Sequence, residues 1–239
     1  MKKEKNKIKS TKERSFTINL IFCIVSLICM FIVPSLIGSV LHIFIKSEML
    51  CTFIGDMVLI AILVLIYYTD LTHEWNRYKN DFKNNFKKGF KTYLLGFLGM
   101  VFCNIVIIIF LKDVSANENQ VREMLFSSPI FTFLCIAIAA PIGEELVFRK
   151  SLQPVIKNKW IYVVICGLLF GGAHIMTNIL NNAFVWTDLI YILPYGCLGS
   201  SFALMDYDTK STFTSMVMHS MHNSLTGILL LVTYFGGNL

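Results

Sequence analysis

Seven apolar runs, each about long enough to cross a bilayer, constrain this chain more than any other feature. They lie near 16–38, 50–68, 92–111, 128–148, 160–180, 184–205 and 211–235, the first extended or broken at Pro34 and Gly38. A helix needs about 20 apolar residues to cross the hydrocarbon core. These runs are apolar on every face, which soluble amphipathic helices are not. Backbone groups in lipid must be satisfied within the segment, so the runs are helices and not strands. Composition agrees: the chain is 55% hydrophobic and 15% charged, against about 25% charged in soluble domains. The fold class is all-α, a polytopic transmembrane helical bundle of about seven spans (six to eight).

The basic residues orient it. With a cytoplasmic amino terminus, the inner segments 1–15, 69–91, 149–159 and 206–210 hold every Lys and Arg except Lys46, Lys112 and Arg122. That bias is the positive-inside pattern. Trp75 and Trp160 fall near inner boundaries and Trp186 near an outer one, where interfacial anchors belong. The basic run within 1–15 precedes a long apolar stretch, so it sets orientation and touches anionic lipid; no nucleic-acid partner is indicated. The apolar stretch from Phe16 to Ile45 is too long for a signal peptide and shows no small-x-small cleavage site, so it reads as a retained first span. Residues 69–91 are polar with Phe82, Phe86 and Phe90 four apart, which predicts an amphipathic helix on the inner surface. The domains expected are a basic cytoplasmic tail (1–15), amino-terminal transmembrane helices with that loop (16–127), and a transmembrane core (128–239). The seven cysteines lie in apolar stretches without a CxxC pair, the pattern of small buried hydrophobes rather than ligands.

Ionisable residues inside a span are costly and are functional candidates by default. In Pro141-Ile-Gly-Glu144-Glu145-Leu-Val-Phe-Arg149, Pro141 and Gly143 are expected to interrupt the helix and leave the glutamates in a first turn, where negative charge is favoured. Glu145 and Arg149 are four apart and can pair. Glu144 points about 100° away around the helix and stays free. His174 follows Gly171, Gly172 and Ala173, small residues that permit close helix approach. His219, His222 and Asn223 can share one helical face. An imidazole beside an amide suits proton transfer and oxyanion stabilisation, although inter-helix hydrogen bonding explains such a face equally well. Asp188, Asp56 and His42 lie towards span ends and read as interfacial. The first 125 residues show nothing beyond spans.

Taken in order, Glu144-Glu145-x-x-x-Arg149, Phe170-x-x-x-His174 and His219-x-x-x-Asn223 resemble the signature of the CAAX protease and bacteriocin-processing (CPBP, or Abi) family of intramembrane endopeptidases. The resemblance covers about 140–225 and makes 128–239 a catalytic core of that type. It implies hydrolysis of a peptide bond in a membrane protein or peptide. Glu144 would activate water with His174 and His219 helping to hold it, and Asn223 would stabilise the oxyanion. Glu145 and Arg149 would be a supporting pair, with Phe170 packed beside the site. Metal dependence stays open: zinc could use Glu144, His174 and His219, but HExxH is absent and a metal-free general base is preferred. Two alternatives are a proton-coupled transporter and a non-catalytic scaffold or immunity factor. The expected location is a bacterial plasma membrane. One conflict arises from straight helices: Glu144 lies towards the inner face and His174 towards the outer, on the order of 10–15 Å apart in depth.

Overall fold

The computed structural model describes residues 14–236, apart from Asn181 and the side chain of Thr177. The basic run of residues 2–12 lies outside the described residues. Those described are almost wholly helical, with no strand. Helix α1 (Phe16–His42) and α2 (Glu48–Ile66) form a hairpin, opened by Ser15 and Ser47, whose hydroxyls accept from the Ile18 and Leu50 amides. Each satisfies a donor that the first helical turn leaves unpaired. The two helices cross almost backbone to backbone: a Cβ added at Gly55 would stand 2.7 Å from the Pro34 carbonyl oxygen. Gly55→Ala is therefore expected to push the hairpin apart and cost about 1–3 kcal/mol, read as a lowered thermal midpoint in detergent.

The polar stretch after α2 is not one surface helix. It divides at Asp81 into α3 (Tyr68–Asn80) and the foot of α4 (Phe82–Leu111). Asn80-Asp81 is a pair suited to turns. Phe82, Phe86 and Phe90 stack along α4 at 5.8 and 6.2 Å. Meanwhile α3 plugs the end of the bundle: Leu71, Glu74 and Tyr78 are buried. Glu74 pairs with Lys150 and accepts from the Thr212 amide at 3.2 Å.

Helix α5 (Ala116–Ser127), capped by Ser115, leads into α6 (Pro129–Lys150). Then come α7 (Lys159–Leu180), a 3-10 turn (Trp186–Tyr191), α8 (Ile192–Thr209) and α9 (Thr212–Gly236). Small residues let α8 sit against both α7 and α4. A Cβ at Gly167 would meet Ser200 Oγ at 2.1 Å, and one at Gly96 would meet Ser201 Oγ at 2.3 Å. Leu63, Leu146, Val147, Tyr162, Cys166, Phe202 and Met218 form the centre of the core, while Ile21, Ile24, Ile28, Leu95, Phe102 and Ile109 face outward. An apolar exterior around a packed interior is the form a bilayer demands.

The protein is an all-α, multi-pass membrane protein of about seven spans. Among the described residues, six helices are long and apolar enough to cross a membrane; α9, the seventh expected span, is not among them. The reason is chemical. It carries Thr212, Thr214, Ser215 and His219 buried against its neighbours, and those polar residues lower its apolarity. Arg149 and Lys150, two of the cations on which the expected orientation rests, are buried in the protein, so they act as internal partners and not as topological charges.

Candidate active site

The glutamates stand on α6, and that helix is unusual throughout. Its α-helical turns Pro129–Leu134 and Ala140–Glu145 alternate with wider π turns, Cys135–Ala139 and Leu146–Lys150. The expected interruption at Pro141 is not there. A proline ring inside a straight α-helix clashes with the carbonyl four residues back. The π turn before it supplies the extra residue that avoids the clash. Glu144 and Glu145 consequently end an α-helical turn within a continuous helix, and the first-turn dipole argument does not apply to them.

The same proline shapes a second group. In the π turn, the Ala140 amide bonds to the Cys135 carbonyl. The next donor in that register would be residue 141, and proline has none. Asn223 fills the gap: its Nδ2 donates to the Ile136 carbonyl at 2.8 Å. Asn223→Ala is expected to cost about 1–3 kcal/mol by leaving that carbonyl unpaired. Adding Pro141→Ala supplies a backbone donor at the missing place, so the double variant should recover part of the loss in thermal midpoint.

Around Glu145 the charges pair through Oε1, although Glu145 Oε2 and Arg149 Nε and Nη1 are buried without a hydrogen-bond partner among the described residues. Arg149 Nη1 lies 3.2 Å from Glu145 Oε1, with both side chains fully buried. Arg149 Nη2 donates to the Gly199 carbonyl at 2.9 Å. The guanidinium also sits 4.8 Å from the Phe170 ring centroid and 5.6 Å from that of Phe202, a cation–π arrangement strengthened by desolvation. Glu145 Oε1 further accepts from His219 Nδ1 at 3.0 Å. Spacing found the Glu145–Arg149 pair, but the bond to His219 crosses from one helix to another and left no trace in the sequence.

Glu144 is different. Like Glu145 Oε2, its Oε2 is buried with no hydrogen-bond partner among the described residues, but the one ion-pair partner found for it there is His219, whose Nε2 stands 3.9 Å away. His174 donates Nδ1–H to the Phe170 carbonyl at 2.8 Å. That bond fixes the tautomer, because a carbonyl only accepts, and leaves the Nε2 lone pair of the neutral ring free. His174 also stacks on Tyr195 at 4.1 Å. Phe170 therefore does more than pack: its carbonyl orients one histidine while its ring touches His174, His219 and Arg149.

Two adjoining cavities join these groups. The larger, about 340 Å³, reaches His174, His219, His222 and Asn223. The smaller, about 220 Å³, reaches Glu144, His174, His222 and Asn223. Glu144 and His174 thus line one space, and the expected depth conflict dissolves. The carboxyl-terminal end of α6 does not reach a surface: Lys150, Ser151 and Leu152 are buried, with Lys150 paired to Glu74 of α3. Glu144 therefore stands further inside the bundle than a straight ladder of helices allows.

Other sequence expectations need revision. Asp56 stands at the middle of α2, half-buried and within electrostatic reach of Glu144, so it is not interfacial. Asp188 is buried, accepting from the Val185 amide and Asn178 Nδ2, a structural cap. The amino-terminal half is more than spans: Phe97, Met100 and Asn104 of α4 and Ser115 before α5 wall the larger cavity. Tyr195, which the sequence did not single out, is tied to that wall through Ser115 and Asn117 at 2.8 and 3.2 Å. Zinc had one candidate set in Glu144, His174 and His219. Among the described residues no three His, Cys, Asp or Glu side chains gather closely enough to hold a metal ion, so as placed these three do not form one.

Comparison with known proteins covers the same region. Residues 126–225 match the family described as Rce1-like, type II CAAX prenyl endopeptidase. The UPF0177 protein YbdI of Lactococcus lactis subsp. lactis (strain IL1403) is 25% identical over 140 residues, 55% of this chain and 71% of that protein. An uncharacterised protein of Mycoplasma capricolum subsp. capricolum is 27% identical over 107 residues, 44% of this chain and 29% of that protein. No solved structure matches. Residues 126–225, which carry all three motifs, are thus similar to the Rce1-like family of type II CAAX prenyl endopeptidases.

Proposed function

We propose that this protein hydrolyses a peptide bond in a membrane-associated protein or peptide, with Glu144 as the general base. One observation carries the reading: Glu144 Oε2 is buried and unbonded on a cavity shared with His174 and Asn223, while its neighbour Glu145 is consumed by Arg149 and His219. A carboxylate without a structural partner, in a space open to a reactant, is suited to proton transfer. Water beside Glu144, His174 and His219 donates one hydrogen to Glu144 Oε2 and the other to the Nε2 lone pair of one of the two histidines, and it gives the first proton to Glu144 as its oxygen attacks the carbonyl carbon. The remaining Asn223 N–H stabilises the tetrahedral oxyanion. The proton on Glu144 then passes to the leaving nitrogen, the C–N bond breaks, and the carboxylic acid formed gives its remaining proton to the amine, leaving a carboxylate and an ammonium. Glu145 takes no proton in this scheme: with Arg149 it holds His219 in the orienting role of the third member of a triad. No step uses a metal.

With the amino terminus cytoplasmic, Asp113, Ser115 and Glu118, which line the larger cavity, stand towards the outer side of a bacterial plasma membrane. Peptide or pheromone maturation and bacteriocin self-immunity are the biological roles this favours. The test is comparative mass spectrometry of membrane peptides from cells with wild-type or Glu144→Ala protein. Products that disappear with the variant and persist in chelator support the reading; unchanged products overturn it. Chelator-sensitive products would favour zinc, and partner function retained without any cleavage would favour a scaffold.

A further inference from the structure

The proposed chemistry needs donors for the oxyanion, and the motif residues supply few. His174 spends its Nδ1 hydrogen on the Phe170 carbonyl, and His219 spends its own on Glu145. In their neutral forms both offer the cavity a lone pair. Glu144 offers only carboxylate oxygens. Asn223 has two amide hydrogens, and one is committed to the Ile136 carbonyl. A single N–H therefore remains among the motif residues that face the reactant, whereas oxyanion sites act through several donors aimed at the developing charge.

His222 stands beside it, outside the three motifs, and lines both cavities. Its Nδ1 lies 3.2 Å from the Tyr93 hydroxyl. Tyr93 is buried, and no other hydrogen bond to its hydroxyl is found among the described residues. A buried hydroxyl that only accepted would leave its hydrogen unpaired at a cost. The phenol thus donates to Nδ1, which places the imidazole hydrogen on Nε2. The rings of Tyr93 and Phe97 hold His222 edge-on at 5.9 and 6.1 Å, and Tyr93 is fixed between Phe90 and Phe97.

We propose that His222 Nε2–H is a second oxyanion donor beside Asn223, with Tyr93 as the positioning residue that sets its tautomer. A neutral imidazole polarising a carbonyl is an established way to use this side chain. The proposal rests on the hydrolytic reading of the site.

The test measures, per folded molecule in reconstituted membranes, the formation of new protein amino termini that require Glu144, by quantitative mass spectrometry of terminal peptides. His222→Ala should slow their formation by about 10²–10³-fold. His222→Gln, which keeps an N–H donor, should regain at least a tenth of the wild-type rate. Tyr93→Phe keeps the aromatic stack and should fall between wild type and His222→Ala. Equal losses in His222→Ala and His222→Gln would overturn the proposal, as would a rate within twofold of wild type in His222→Ala. If Glu144→Gln produces the same termini as wild type, the hydrolytic reading itself fails, and this proposal fails with it.

Discussion

Arg149→Met is expected to destabilise the folded protein by about 3–5 kcal/mol, the cost of stripping one partner from a buried ion pair. Arg149 and Glu145 are both fully buried, so no water can replace the lost guanidinium. The Gly199 carbonyl loses its donor in the same change, and Phe170 and Phe202 lose the cation packed against them. The result should appear as low yield of folded protein and a steep fall in thermal midpoint. Adding Glu145→Gln removes the stranded charge, so the double variant should be more stable than Arg149→Met alone. An interaction of that sign identifies the pair as the cause.

Glu144→Gln should do the opposite. Hydrolysis should fall by about 10²–10⁴-fold, the range for loss of a general base. Stability should be unchanged or improved, because the residue holds a buried oxygen without a hydrogen-bond partner and makes no bond the fold requires. A charged group kept at a cost to the fold is what a reactive site demands and a structural one does not.

The two neighbouring glutamates also show how far the sequence could be read. Glu145–Arg149 was legible because helical periodicity brings residues four apart onto one face. The bond from Glu145 to His219 was not, since it depends on how α6 and α9 dock. Pro141 was misread for a related reason: proline forbids an ordinary helical turn, but sequence does not say whether the chain breaks or widens into a π turn. Here it widens, and the carbonyl freed at Ile136 fixes Asn223.

Six spans were plain because lipid tolerates only continuous apolar helices. Helix α9 was recognisable as a span only roughly, because the polar face that serves the site dilutes its hydropathy. The depth of Glu144 was set by the buried end of α6 and the plug formed by α3, both tertiary facts. Tyr93 and Tyr195 gave no signal, since an aromatic residue in a membrane helix looks like packing until its hydroxyl finds a partner.

The division between Glu144 and Glu145 is the central claim, and one paired measurement tests it. Glu144→Gln and Glu145→Gln are purified, and each is assayed for thermal midpoint and for formation of the wild-type cleavage products in vesicles. Glu144→Gln should keep the wild-type midpoint and form no product within the assay, whereas Glu145→Gln should unfold at a lower temperature. A Glu144→Gln protein that forms product at the wild-type rate would contradict the account.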